Sequence, residues 1–318
     1  MFLLKNLTEK TPCDIYIYIY EISALNKIKE GEEKKMLSLV VSLLKSSFKR
    51  VGFWAALTLM MILCMSNTVV WAFLSKDSDV SQQIANANAF ILEYGSPLLE
   101  ALLMAYIFIL LLPYVFTFRR DRRLQMQQVL IVRMGKTRYY IANVIACFAS
   151  TFIAMLVPLL IENFVNGLIF KNTVAYSYSF NSLASITGDN VMIDTYSNGY
   201  PFVDLYMKSP MNYNYMCAFI FALLCGILAV FVFSISFYVK KYGILLLLPL
   251  FILVQLQDRV DAVIQLQSSI YLNVNIRSYF TVGMDYGQSA LYIILFCIVL
   301  LTISFFLTLV KCKGDQLE

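Results

Sequence analysis

The chain is predicted to be an all-α integral membrane protein with six transmembrane helices, preceded by a cytoplasmic amphipathic helix. Three observations predict this. First, 60% of its 318 residues are hydrophobic and only 14% are charged, where an ordinary soluble domain is about 25% charged. Second, the apolar residues come in long blocks of the size a bilayer demands, about 20 residues at ~1.5 Å rise to cross ~30 Å of hydrocarbon. Third, the basic residues gather in alternate connections between the blocks.

The blocks lie near 53–74, 98–117, 139–163, 213–238, 242–256 and 289–310. Inside them the only charged residues are Glu100, close to one end of the second, and Glu162, at the outer end of the third. A charge at a span centre costs roughly 2.5–3.5 kcal/mol on the insertion scale, so this exclusion favours insertion over a buried globular helix. The fifth block is short, about 15 residues against the ~20 required, and holds Pro249.

Orientation follows from Lys and Arg. With the N-terminus inside, the segments 36–52, 118–138, 239–241 and 311–318 hold 14 basic residues, and the outer segments 75–97, 164–212 and 257–288 hold 5. Cytoplasmic loops carry such an excess, so both termini are expected in the cytoplasm of a cell-membrane protein, in bacteria the cytoplasmic membrane. Trp54 and Trp71 stand about 25 Å apart along the first span, where the two interfacial aromatic belts form. The expected partner of the apolar surface is the lipid bilayer, and no nucleic acid is expected.

Ahead of the first span, residues 37–50 (LSLVVSLLKSSFKR) are amphipathic and end in Lys45, Lys49 and Arg50. This stretch is too short and too charged at one end to span, and suits a helix lying in the cytoplasmic interface. The alternative is a plain extension of the first span. Residues 1–35 differ in composition and form an N-terminal extension without a signal-peptide pattern. Lys29-Glu30-Gly31 can be encoded by a ribosome-binding-site-like sequence shortly before Met36, so one expectation is that translation starts at Met36; the other is a short cytoplasmic extension. Intact-mass measurement separates them.

The long outer loop 164–212 is rich in Tyr, Asn, Ser and Gly, with Asn198-Gly199 and Tyr200-Pro201 as turn signals. It exceeds a plain connector, and a small extracellular element is expected there. Residues 257–280 alternate apolar and polar positions, which predicts a short helix or re-entrant segment at the outer surface. Prolines 113, 158 and 249 fall in or near spans, each freeing a carbonyl.

Several chemistries are excluded. Histidine is absent, which removes imidazole bases, catalytic triads and HExxH zinc sites. The seven cysteines form no CxxC pair, so neither a metal site nor a disulfide framework is indicated. Gly135-Lys136-Thr137 is not a phosphate loop, because the required earlier glycine is Leu130 and no strand precedes it. No cofactor, metal or catalytic residue is predicted, and with no clustered acids in the spans an intramembrane enzyme is disfavoured.

The loop between the second and third blocks, RRDRRLQMQQVLIVRMGKTR, carries Arg119, Arg120, Arg122, Arg123, Arg133, Lys136 and Arg138 against Asp121 alone. Its first arginines suit the membrane edge and anionic head groups. Its middle mixes Leu124, Val129, Leu130, Val132 and Met134 with Gln125, Gln127, Gln128 and Arg133, as a segment that docks into a groove on a soluble partner would. Glu100 and Glu162 have two readings: acids near the outer interface, or lining residues of a polar pathway.

Together, the amphipathic helix, the six blocks, the loop ending RMGKTRYYIANVIACF and the junction SFYVKKYGILLLLPLFIL resemble the membrane subunits of type-2 ABC transporters, over about residues 37–312. Arg133 and Tyr139-Tyr140 stand where that family places an arginine, a turn and the tyrosine that opens the third span. The resemblance implies a permease subunit of an ATP-driven exporter of a peptide, drug or other amphipathic substrate. It implies a second permease subunit, in a homo- or heterodimer, and cytoplasmic ABC ATPase subunits that hydrolyse the ATP. It makes 119–138 a cytoplasmic coupling loop, with Gln125, Gln127, Gln128 and Arg133 as the ATPase contact. The alternative is a non-transporting sensor or assembly protein that binds partners through loop 164–212.

Overall fold

The computed structural model describes residues 36–74, 89–93, 96–116, 118, 131, 135–170, 205, 209–239, 246–267, 276–281 and 290–314. Residues 1–35, most of the loop 164–212 and most of the loop 119–138 lie outside that set. The described elements are helical. They are α1 (Met36–Phe48), α2 (Val51–Leu74), α3 (Leu99–Ile109), α4 (Lys136–Ile169), α5 (Pro210–Ser236), α6 (Leu247–Gln267), a 3-10 turn (Ile276–Phe280) and α7 (Ala290–Gly314).

Four of them, α2, α4, α5 and α7, are long and apolar enough to cross a membrane. Of the apolar stretch of α5, 67% is buried, and of α4, 44%; for α2 and α7 the shares are 22% and 17%. The pair α4–α5 is therefore the core, with α2 and α7 flanking it. The flanking helices expose Leu59, Ile62 and Phe73 on α2, and Ile294, Ile298, Phe305 and Phe306 on α7. So large an apolar surface is incompatible with water. This is the build of a helical membrane protein.

Packing fixes directions. α4 and α5 run antiparallel: Asn163 Nδ2 donates to the Met211 carbonyl at 3.3 Å, Gly226 faces the Phe148 ring, and the Tyr140 and Phe237 rings lie 5.1 Å apart. α2 and α4 run parallel. At one end Asn67 bonds Glu162. At the other, α1, joined to the start of α2, packs Leu39 and Val40 on Ala142. α5 and α7 are parallel too: Val230 and Leu301 line one groove, the Ser234 and Thr308 hydroxyls are 3.4 Å apart, and Tyr238 lies by Cys312.

The second predicted span is not one helix. α3 has 11 residues and gives way to turns at 110–114. Pro113 explains this, because it has no N–H for the Ile109 carbonyl, which accepts from Leu112 N instead at 3.1 Å. Side chains serve the broken stretch: Thr151 Oγ1 donates to the Leu110 carbonyl at 3.4 Å, and Ser47 Oγ to the Pro113 carbonyl at 3.1 Å. Such compensation is what makes irregular backbone tolerable away from water. Even so, the stretch travels along α4. Ser96 lies beside Asn67, Leu110 beside Thr151, and the Tyr114 hydroxyl donates to Asn143 Oδ1 at 2.7 Å.

The fifth block differs in the other direction. α6 does not stop at Leu256 but continues to Gln267, because helix hydrogen bonding does not require apolar side chains. Its apolar part, Leu247–Gln257, is short. Gln257 Nε2 reaches the Tyr292 hydroxyl at 3.4 Å near the start of α7. The 3-10 turn that follows is buried at Ile276 and Phe280. Phe280 packs edge-on against Tyr106 and Phe221, and Phe221 stands about 16 Å along α5 from its first residue.

α1 buries Leu39, Val40 and Ser47, with Leu43 and Leu44 partly so, and exposes Leu37 and Val41. Its joint with α2 is closed by the Trp54 indole N–H, which donates to the Phe48 carbonyl at 2.8 Å. At the start of α4, Gly135 has φ +85°, a left-handed conformation glycine adopts without strain. The Gly-Lys-Thr sequence thus turns the chain into α4.

Candidate functional site

At the end of the bundle opposite α1, a cluster of polar side chains is buried between α2 and α4. Asn67, Glu162, Asn163 and Asn166 are fully buried, and Thr68 and Ser96 nearly so. Helical spacing makes the cluster. Glu162 and Asn166 are four apart on α4 and face α2, while Asn163, one residue on, faces α5.

The cluster grips a piece of connecting chain. Residues 89–92 of the α2–α3 connection are inaccessible to solvent. The Ala89 carbonyl accepts from Asn67 Nδ2 at 2.9 Å and from Asn166 Nδ2 at 3.0 Å. The Ile91 N–H donates to Glu162 Oε1 at 3.0 Å, and the same oxygen accepts from Asn67 Nδ2 at 3.1 Å. Ser96 Oγ donates to Asn67 Oδ1 at 2.6 Å. Thr68 Oγ1 donates to Asn166 Oδ1 at 2.8 Å. Asn67 therefore ties together α2, α4, the inserted segment and the approach to α3.

Two acceptors in the cluster have no hydrogen-bond partner, Glu162 Oε2 and Asn163 Oδ1. Next to the inserted segment's end, Glu93 is buried, and burial pushes its carboxyl well above the usual carboxylate range. Among the described residues no group of His, Cys, Asp and Glu is arranged to hold a metal ion.

Of the residues singled out by sequence, Glu162 is the centre of this cluster. Glu100 is separate from it in kind: it is exposed in the first turn of α3. Gln125, Gln127, Gln128 and Arg133 lie outside the described residues. Sequence reasoning missed Asn67, Thr68, Asn163 and Asn166. Their signal was available as amide and hydroxyl groups inside otherwise apolar spans, where each demands a partner.

The fold and cluster define a helical membrane protein with a buried polar cluster that holds residues 89–91 at one end of its bundle. No protein-family model matches the chain, and no curated protein or solved structure matches it either.

Proposed function

We propose that the chain is the six-span permease subunit of an ATP-driven ABC exporter of a peptide, drug or other amphipathic substrate, with the α1 end in the cytoplasm. The observation that carries the reading is the parallel packing of α2 with α4 and of α5 with α7. Two parallel neighbours joined in sequence require the chain to travel back between them. Residues 96–116 return beside α4, and α6, which follows α5, reaches the start of α7 through Gln257 and Tyr292. On this reading the chain crosses six times, four of them as helices of spanning length, with both termini on one side.

In this reading the amphipathic α1, held by Ser47 and Ala142, rests at the cytoplasmic face. ATPase closure pushes on the loop 119–138 through Gln125, Gln127, Gln128 and Arg133. The clamp of Glu162, Asn67 and Asn166 on residues 89–91 keeps the outer end shut in the inward-facing state, and its release opens it. A switch of access needs a free-energy difference between the two states, which the ATPase contact supplies.

Two measurements test this. A Gln127→Cys variant is expected to react with an impermeant thiol reagent only in inside-out vesicles; reaction in intact cells overturns the topology. The protein purified from native membranes is expected to bring down an ABC ATPase and stimulate its hydrolysis, and Arg133→Glu to lose both. Full retention of association and stimulation in that variant refutes the coupling assignment.

A further inference from the structure

The Glu162 carboxyl is bonded on one side only. Oε1 accepts from the Ile91 N–H at 3.0 Å and from Asn67 Nδ2 at 3.1 Å. Oε2 has no hydrogen-bond partner, although the residue is fully buried. This is the pattern of a carboxylic acid, in which the carbonyl oxygen accepts and the other oxygen carries the hydrogen. An ionised carboxylate accepts at both oxygens. Burying it with one oxygen unserved costs far more than burying the neutral acid.

The elements around the carboxyl offer no cation to offset a charge. α2, α3, α5 and residues 89–93 contain no Lys or Arg. On α4 itself the basic residue closest to it is Arg138, about 36 Å away along the helix. The titratable groups nearby are all acids. From α2 the Cys64 thiol lies against the same carboxyl, on the helix face that carries Asn67 and Thr68. From the inserted segment comes Glu93, two residues past Ile91. Glu93 lies near Cys217 of α5, and Cys217 in turn beside Tyr213. None of these groups can carry a positive charge.

We propose that Glu162 is a proton-binding site: its carboxyl holds a proton while it grips residues 89–91 and gives that proton to water when the segment withdraws. One segment controls both events. While residues 89–91 cover the carboxyl, water cannot solvate a charge there. Once they leave, Oε1 loses the Ile91 donor and water reaches both oxygens. The O–H bond on Oε2 then breaks, the electron pair stays on the carboxylate and the proton passes to the entering water. Closing takes one proton back, so low pH favours the closed cluster and high pH the open one. The inference deepens the clamp's part in the exporter reading but rests on the buried cluster alone. Absence of a partner ATPase would sink that reading and leave this site standing.

The test uses the full chain in lipid nanodiscs, in a Glu93→Gln background that removes the neighbouring buried carboxyl. Infrared spectra at neutral pH are expected to show the carbonyl band of a protonated acid, and adding Glu162→Gln to remove it. Hydrogen exchange at Ile91, corrected for the intrinsic effect of pH, is expected to speed up with rising pH by as much as about tenfold per unit, the limit for one proton. With Glu162→Gln the corrected rate is expected to be flat, because the amide keeps an oxygen for Ile91 and Asn67 and cannot ionise. A spectrum with no protonated-acid band from Glu162 overturns the proposal. So does the same pH slope at Ile91 with glutamate or glutamine at position 162.

Discussion

The carboxylate of Glu162 accepts the backbone N–H of Ile91 at 3.0 Å across 71 residues of chain. This bond joins the last two turns of α4, the longest of the described helices, to a connecting segment that would otherwise be expected at the surface, since buried loop backbone needs such partners. It also gives the cluster a direction: α4 holds, and the α2–α3 connection is held.

Glu162→Ala leaves two buried donors, Ile91 N–H and Asn67 Nδ2, without that acceptor. The expected cost is about 1–3 kcal/mol. Glu162→Gln keeps an oxygen for both donors, so it is expected to cost less than about 1 kcal/mol. Thermal unfolding in detergent measures the difference, and amide exchange at Ile91 should accelerate only in the alanine variant. Equal losses in the two variants would show that the hydrogen bonds are not what matters.

The two tight glycines of the α4–α5 interface should respond differently. A Cβ on Gly226 would come within 2.9 Å of two ring atoms of Phe148. That ring is stacked on Phe152, so it cannot simply swing away, and Gly226→Ala is expected to destabilise by about 1–3 kcal/mol. A Cβ on Gly167 meets only the terminal methyl and sulfur of Met211, which a rotamer change relieves. Gly167→Ala should lie within about 0.5 kcal/mol of the wild type. Adding Phe148→Leu to Gly226→Ala should recover stability; a strictly additive double variant contradicts the steric account.

Glu93 gives a pH dependence whose sign follows from burial. Its folded carboxyl lies above the usual range, so the fold prefers the protonated form. That contribution is complete below the ordinary carboxylate pKa and is lost as pH rises through the folded value. Glu93→Gln is expected to flatten the unfolding midpoint against pH and to raise it at neutral pH. A midpoint profile parallel to that of the wild type would remove Glu93 as the cause.

Ser47 ties α1 to the broken stretch after α3 through the Pro113 carbonyl. Ser47→Ala should cost about 0.5–1.5 kcal/mol, and Ser47→Thr less, since it keeps the hydroxyl. Limited proteolysis between α1 and α2 should be faster in the alanine variant. Unchanged cleavage and stability would show α1 to be held by Leu39 and Val40 alone.

The sequence made α2, α4, α5 and α7 legible because membrane-crossing length is a local quantity: about 20 apolar residues in a row suffice. It also marked 37–50 as an amphipathic helix, but not which face it buries: Leu39 and Val40 are buried while Leu37 and Val41 are exposed. It was less informative at 98–117, where one proline turned a uniform apolar run into a short helix and a turn, and at 257, where a polar residue did not end a helix.

What the amino-acid order determined by itself was where the long apolar helices lie and which residues flank them. Only tertiary structure decided that Asn67, Ser96, Glu162 and Asn166 meet, and that residues 89–92 fold inward against them. A buried polar group is stable only when its partner is present, and these partners are 22 to 98 residues apart in the chain. No local pattern fixes that distance. It follows from α2 and α4 packing in parallel, which brings the two polar faces to one height.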